Sequence, residues 1–126
     1  MGLLAALKSL KAGMNASAAF GRAQRMLHSG DTGAALRVAR AGLHELQQPH
    51  VNRFSAPEGS ALVSLTIFAE QVAAESGMEG PSFQELKDAE QVLEFAVQKT
   101  PTQDSNLNDQ LQYIKSRLEA RAQGAA

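Results

Sequence analysis

The sequence predicts an all-α fold: about six antiparallel helices stacked as helical hairpins in a single domain, residues 1–126, with a plain helical bundle as the alternative. Three observations carry this. Alanine and leucine dominate a chain of 126 residues that is 44% hydrophobic and holds only four prolines, a composition that favours helix over strand. Apolar residues recur at three- and four-residue spacing in each long segment, which is the helical period. Small residues stand where neighbouring helices would touch, which suits close packing of a core built from Leu, Ala, Val and Phe.

Residues 1–13 read as a short amphipathic helix. Leu3, Leu4, Leu7 and Leu10 share a face, Lys8 and Lys11 lie off it, and Gly13 ends it. So short a helix needs support from its own domain, from a partner or from a membrane surface. A first hairpin occupies residues 16–49. Its first helix, about residues 16–29, carries Phe20, Ala23, Met26 and Leu27 on one face, with Arg22 and Arg25 pointing away. Gly30 suits the left-handed position after a helix, and Asp31 or Thr32 caps the next one. That helix turns Ala35, Leu36, Ala39, Gly42, Leu43 and Leu46 inward and stops at Pro49. Glycine inside a helix costs about 1 kcal/mol relative to alanine, so Gly42 predicts a close backbone approach by a neighbouring helix. Residues 50–57 form a loop carrying Val51 and Phe54.

A second hairpin is expected over residues 58–101. Its first helix, 58–76, bears the stripe Leu62, Leu65, Ala69, Val72 and Ala73, widened by Ala61, Ile67 and Phe68. A helix apolar over so much of its surface is central. The run Gly-Met-Glu-Gly-Pro at 77–81 breaks the chain. Ser82 and Glu85 form a capping box for a helix reaching Lys99, with Leu86, Ala89, Val92, Leu93, Ala96 and Val97 inward and Thr100-Pro101 at its end. Ser105 or Asn106 opens the last helix, residues 105–122. Its narrow seam of Leu107, Leu111, Ile114 and Leu118 and its polar remainder suit a helix that caps a stack. The tail from Arg121 to Ala126 is expected to fray.

Several function classes are disfavoured. The chain has no cysteine, which removes disulfides, thiolate metal sites and a cysteine nucleophile. His28, His44 and His50 lack the helical spacing and carboxylate support of a metal site. There is no lysine-bearing phosphate loop and no nucleophile elbow. Glu90 and Glu94 read as a solvated helix face rather than a desolvated acid–base pair. No enzyme activity, cofactor or metal is expected. No apolar run reaches the roughly 20 residues of a membrane span, and the expected address is the cytoplasm.

The formal net charge of −1 is unevenly spread. Residues 1–55 hold seven Lys/Arg against Asp31 and Glu45, a net of +5, whereas residues 56–126 hold five against eleven, a net of −6. Such polarity steers a charged partner or promotes head-to-tail self-association; ordinary solvated helix faces are the simpler reading. Arg22, Arg25, Arg37 and Arg40 project from one hairpin. They suit an acidic protein surface better than nucleic acid, since no stacking aromatics interleave them and the chain as a whole is not basic.

Residues 16–49 span 34 positions, with Ala23 in the first helix, Gly30-Asp31 at the turn, and Ala35, Gly42 and Leu43 in the second helix. In this the chain resembles the tetratricopeptide repeat family. Ala89, Leu93, Ala96 and Pro101 repeat the second-helix pattern. The family's aromatic near the start of the first helix and its later tyrosine are missing, with Met26 at the latter place, and the 77–82 turn and 50–57 loop are long. The resemblance implies a non-enzymatic protein–protein interaction module, an adaptor or scaffold holding a partner's peptide or helix in a groove. The candidate surface is Ser17, Phe20, Gln24, Leu27 and His28 together with the four arginines; that Phe20 and Leu27 simply pack the core is the competing reading. The alternative function is a membrane-surface or oligomeric assembly subunit acting through the amphipathic residues 3–11. Self-association through the charge split or the Leu107–Leu118 seam is a third possibility.

Overall fold

The computed structural model describes residues 2–100 and 104–124. They contain five α-helices and no β-strand: α1 (Leu3–His28), α2 (Thr32–Leu46), α3 (Glu58–Ser76), α4 (Phe83–Lys99) and α5 (Ser105–Ala122). The all-α class stands, as a plain helical bundle. The expected stop at Pro101 and the last two residues of the expected frayed tail lie outside the described residues.

The chain divides at Gly80–Pro81 into two compact units. In the first, α1, α2 and α3 pack on one another pairwise. In the second, α4 pairs with α5. The hairpin expected over 58–101 joined α3 to α4; instead α3 belongs with α1 and α2, and α4 with α5.

The main correction concerns the N-terminus. Residues 1–13 do not form a separate helix, because α1 runs through Gly13 as one element of 26 residues, about 39 Å long. Gly13 is a contact rather than a stop. A Cβ there would lie 2.9 Å from the backbone nitrogen of Glu58 and 3.1 Å from its Cα. The residues α1 buries are Ser9, Ala12, Gly13, Ala16, Ala19 and Ala23. This stripe of small side chains lets the α1 backbone approach its neighbours closely.

Local signals elsewhere explain the boundaries. Gly30 is left-handed, with φ of 90°, and Asp31 donates its N–H to the Met26 carbonyl at 2.9 Å, closing α1 in a Schellman-type turn. Asp31 then caps α2, accepting from the Ala34 N–H at 3.1 Å. Gly42 packs beneath Leu65 and Ala19: a Cβ would sit 2.9 Å from Leu65 Cδ1 and 3.3 Å from Ala19 Cβ. The neighbours that crowd Gly42 are side chains of two helices, not the backbone expected there. Left-handed Gly77 ends α3, with φ of 69°. Both bonds of the Ser82–Glu85 capping box form, and Asp104 caps α5.

The core follows from these contacts. Leu36, Leu43 and Leu46 of α2 and Leu62, Leu65, Ala69 and Val72 of α3 are buried, and in the second unit so are Leu86, Ala89, Leu93, Leu111, Ile114 and Leu118. The α5 seam is therefore interior, with only Leu107 half-buried.

Two glycines of α1 should respond to alanine with opposite signs. Gly13→Ala drives a methyl into the Glu58 backbone and should destabilise by roughly 1–2 kcal/mol, overpacking outweighing the helix-propensity gain. Gly21 meets only the end of the Arg25 side chain, at 3.5 Å, so Gly21→Ala should stabilise by roughly 0.5–1 kcal/mol. Urea unfolding of both variants checks this.

Candidate functional site: the outer face of the first helix

The orientation of α1 is set where it meets the start of α3. Ser9 Oγ donates to Glu58 Oε2 at 2.5 Å and accepts from the Asn52 N–H at 2.9 Å. One turn on, Gly13 rests against the Glu58 backbone. Glu58 is itself buried, and its Oε1 finds no hydrogen-bond partner among the described residues. An unsatisfied buried oxygen is costly, a cost that the Ser9 hydrogen bonds and the surrounding packing offset.

With the small-residue stripe turned inward, the leucines of α1 face the other way. At about 100° per residue the two stripes fall on roughly opposite sides of the helix. Leu3 is 78% exposed, Leu4 68%, Leu7 52%, Leu10 39% and Met14 59%. The leucine face does not dock on its own unit. Other exposed large apolar residues, such as Phe54, Met78, Phe83 and Phe95, are scattered and need no special account. A contiguous row on a single helix does.

Charge follows the same helix. Lys8, Lys11, Arg22 and Arg25 are all exposed, and α1 contains no Asp or Glu. On the helical wheel Lys11, Arg22 and Arg25 fall within the arc of the leucine row and Lys8 at its edge. Beyond Met14 the outward face turns polar, through Ser17, Gly21, Gln24, Arg25 and His28.

The residues singled out from sequence separate into several places. Phe20 is half-buried, its ring edge-on to Phe68 with centroids 5.8 Å apart. Gln24, Arg25 and His28, with Gly21 and Ser29, line an open depression of about 480 Å3. Leu27 is partly exposed. Arg22 instead borders a groove of about 350 Å3 between α1 and α2, with Asn15, Val38 and Glu45 among its walls; Asn15 Nδ2 donates to Glu45 Oε2 there at 3.2 Å. Arg37 is exposed and lies over Gly33. Arg40 pairs with Glu79 at 3.1 Å, so it holds the 77–80 segment against α2. The four arginines thus do not form one cluster. Sequence reasoning missed the buried Glu58 and Glu70, since carboxylates early and midway in an apolar helix pass for solvated positions.

In the second unit, Glu90 and Glu94 are not an open solvated face. Lys115 Nζ donates to Glu90 Oε2 and to Glu94 Oε2, each at 3.2 Å, and Lys87 Nζ donates to Glu90 Oε1 at 3.2 Å. This cluster ties α4 to α5. Burial works against charge on Glu90, but the bonds and charges of Lys87 and Lys115 outweigh it and hold its carboxyl below the ordinary value. Hydrogen bonds to Glu90 and then Glu94 raise the Lys115 ammonium above its ordinary value.

Among the described residues no three His, Asp or Glu side chains converge as a metal site requires, and no helix is long and apolar enough to cross a membrane. No family model, curated protein or solved structure matches the chain.

The ion cluster predicts how stability depends on pH. Because the folded Glu90 carboxyl is depressed, its contribution is full above the ordinary value of 4.5 and is lost as pH falls through the lower folded value. Because Lys115 is raised, its contribution is full below 10.5 and is lost as pH rises through the higher folded value. Thermal melts across pH should show Glu90→Gln flattening the acid limb and weakening the basic limb in part, with Glu94 still paired to Lys115, and Lys115→Met flattening both limbs.

Proposed function

We propose that the protein is a peripheral attachment or assembly subunit, with residues 3–14 of α1 as a preformed docking arm. The observation that carries this is the exposed row Leu3, Leu4, Leu7, Leu10 and Met14 on a helix whose opposite face is already spent on its own unit. An amphipathic helix with cations at and beside its apolar face, long-stemmed side chains that reach past the apolar surface, is a form used at membrane interfaces and in helix-mediated assemblies. Each leucine fully removed from water contributes about 1.5–3 kcal/mol, so four leucines with a methionine supply a usable attachment energy even when burial is partial.

A second reading rests on the hairpin. Left-handed Gly30 and the buried Ala35, Ala39 and Gly42 are the features a tetratricopeptide-like hairpin needs, and Gln24, Arg25 and His28 share one open depression. A partner's peptide of acidic character would lie across α1 there. The adaptor function first expected thus becomes the narrower of the two proposals.

The double variant Leu7→Ser/Leu10→Ser tests the arm. Both side chains are solvent-facing, so the melting temperature should hold. Co-sedimentation with membranes or large assemblies in extracts of the native cell should fall roughly 30-fold, from the lost apolar transfer energy. Unchanged sedimentation would overturn the proposal. Gln24→Glu probes the second reading: it should weaken capture of an acidic peptide severalfold and leave the distribution of the arm-dependent fraction unaltered.

A further inference from the structure

The docking arm has a charge pattern that distinguishes among its conceivable occupants. Resting on the attachment reading above, we infer that the arm's target is an anionic lipid surface, on which α1 lies with its N-terminal half deeper than its C-terminal half.

Charge complementarity argues for this occupant. Every charged side chain on α1 is basic: Lys8, Lys11, Arg22 and Arg25. A second copy of the same helix would bring lysine against lysine along the leucine row, with no acidic residue on either α1 to answer it. The row itself has heptad spacing at Leu3, Leu7, Leu10 and Met14, but coiled-coil pairing draws on opposite charges at its flanks, and the charged side chains beside this row, Lys8 and Lys11, are both basic. Phosphate head groups supply the missing sign at high surface density. The first turn of α1 points the same way. It has no acidic residue, and Gly2 offers no side-chain cap, so the positive pole of the helix is left for an external anion.

The tilt follows from the gradient along the outer face. Residues 3–14 present leucine and methionine, whereas residues 17–28 present Ser17, Gly21, Gln24, Arg25 and His28. Apolar side chains enter the acyl boundary and polar ones stay at head-group level. The packing stripe of Ser9, Ala12, Ala16, Ala19 and Ala23 lies opposite. The helix thus rests with its leucines in the lipid while α2 and α3 stay on the water side.

The chain contains no cysteine, so single labels can be placed cleanly on the full-length protein. Three variants, Leu7→Cys, Gln24→Cys and Ala41→Cys, are each labelled with an environment-sensitive fluorophore. They are mixed with vesicles of phosphatidylcholine alone or of phosphatidylcholine with phosphatidylserine, and flotation is measured alongside. The full chain should float with the anionic vesicles at least tenfold better than with the neutral ones. The label at position 7 should shift to the blue and be quenched by lipid-borne quenchers. The label at 24 should respond less, and that at 41 should stay in water. Lys8→Gln/Lys11→Gln should weaken flotation roughly 20- to 30-fold.

Equal flotation with neutral vesicles, or a label at 24 as deep as that at 7, overturns the inference. If no vesicle binds yet the chain self-associates in a manner abolished by Leu7→Ser/Leu10→Ser, the lipid inference falls and the docking-arm reading stands. If the chain binds no vesicle, remains monomeric and is indifferent to those substitutions, both fall.

Discussion

The backbone of α1 can reach the start of α3 only because residue 13 has no side chain. That one close approach governs much of the first unit. It places Ser9 within hydrogen-bonding range of Glu58 and Asn52, and it fixes the rotation of α1 about its own axis. Once the rotation is fixed, the small residues must face inward and the leucines outward. A side chain at position 13 would push α1 away from Glu58 and loosen the relation between these two faces.

The arrangement reverses the usual division of labour in an amphipathic helix. The leucines and Met14 of the N-terminal half of α1 are given to solvent, and the fully buried positions of the helix are served by alanine, serine and glycine. Alanine buries little area, so α1 contributes closeness rather than bulk. The bulk comes from Leu36, Leu43 and Leu46 on α2 and Leu62 and Leu65 on α3. A helix that contributes little area to its own core yet carries four leucines elsewhere has an apolar face available for something else. The second unit has no such division, since Leu111, Ile114 and Leu118 turn inward and the polar side chains form the Glu90–Lys115 ion cluster.

Much of the fold was legible in the sequence because its punctuation is chemically explicit. Gly30, Gly77, the Ser82–Glu85 box and Asp31 each mark a boundary through a mechanism that needs no tertiary context, and α2 through α5 fall close to where these signals put them. Gly13 was illegible for the opposite reason. A glycine that ends a helix and one that admits a neighbouring backbone look alike in one dimension, and only the partner, Glu58, separates them. The inward face of α1 was hidden because a pattern of large apolar residues points to the leucines, whereas contact distance selects the alanines. Leu3, Leu4, Leu7 and Leu10 were correctly grouped on one face, but nothing local says whether that face meets the domain or the solvent. The pairing of α3 was likewise non-local: its breadth of apolar surface marked it as central without saying which helices it joins.

The continuity of α1 has a kinetic and entropic corollary. Isolated amphipathic segments of this length are unfolded in water and order themselves only on arrival, so part of their contact energy is consumed by helix nucleation. Here nucleation is already complete, because residues 3–14 belong to one continuous helix anchored on its own unit through Ser9, Ala12, Gly13, Ala16, Ala19 and Ala23. On the attachment reading proposed above, the arm meets its target in the shape it will keep. Association then leaves helix content unchanged, and the chain loses little conformational freedom on docking.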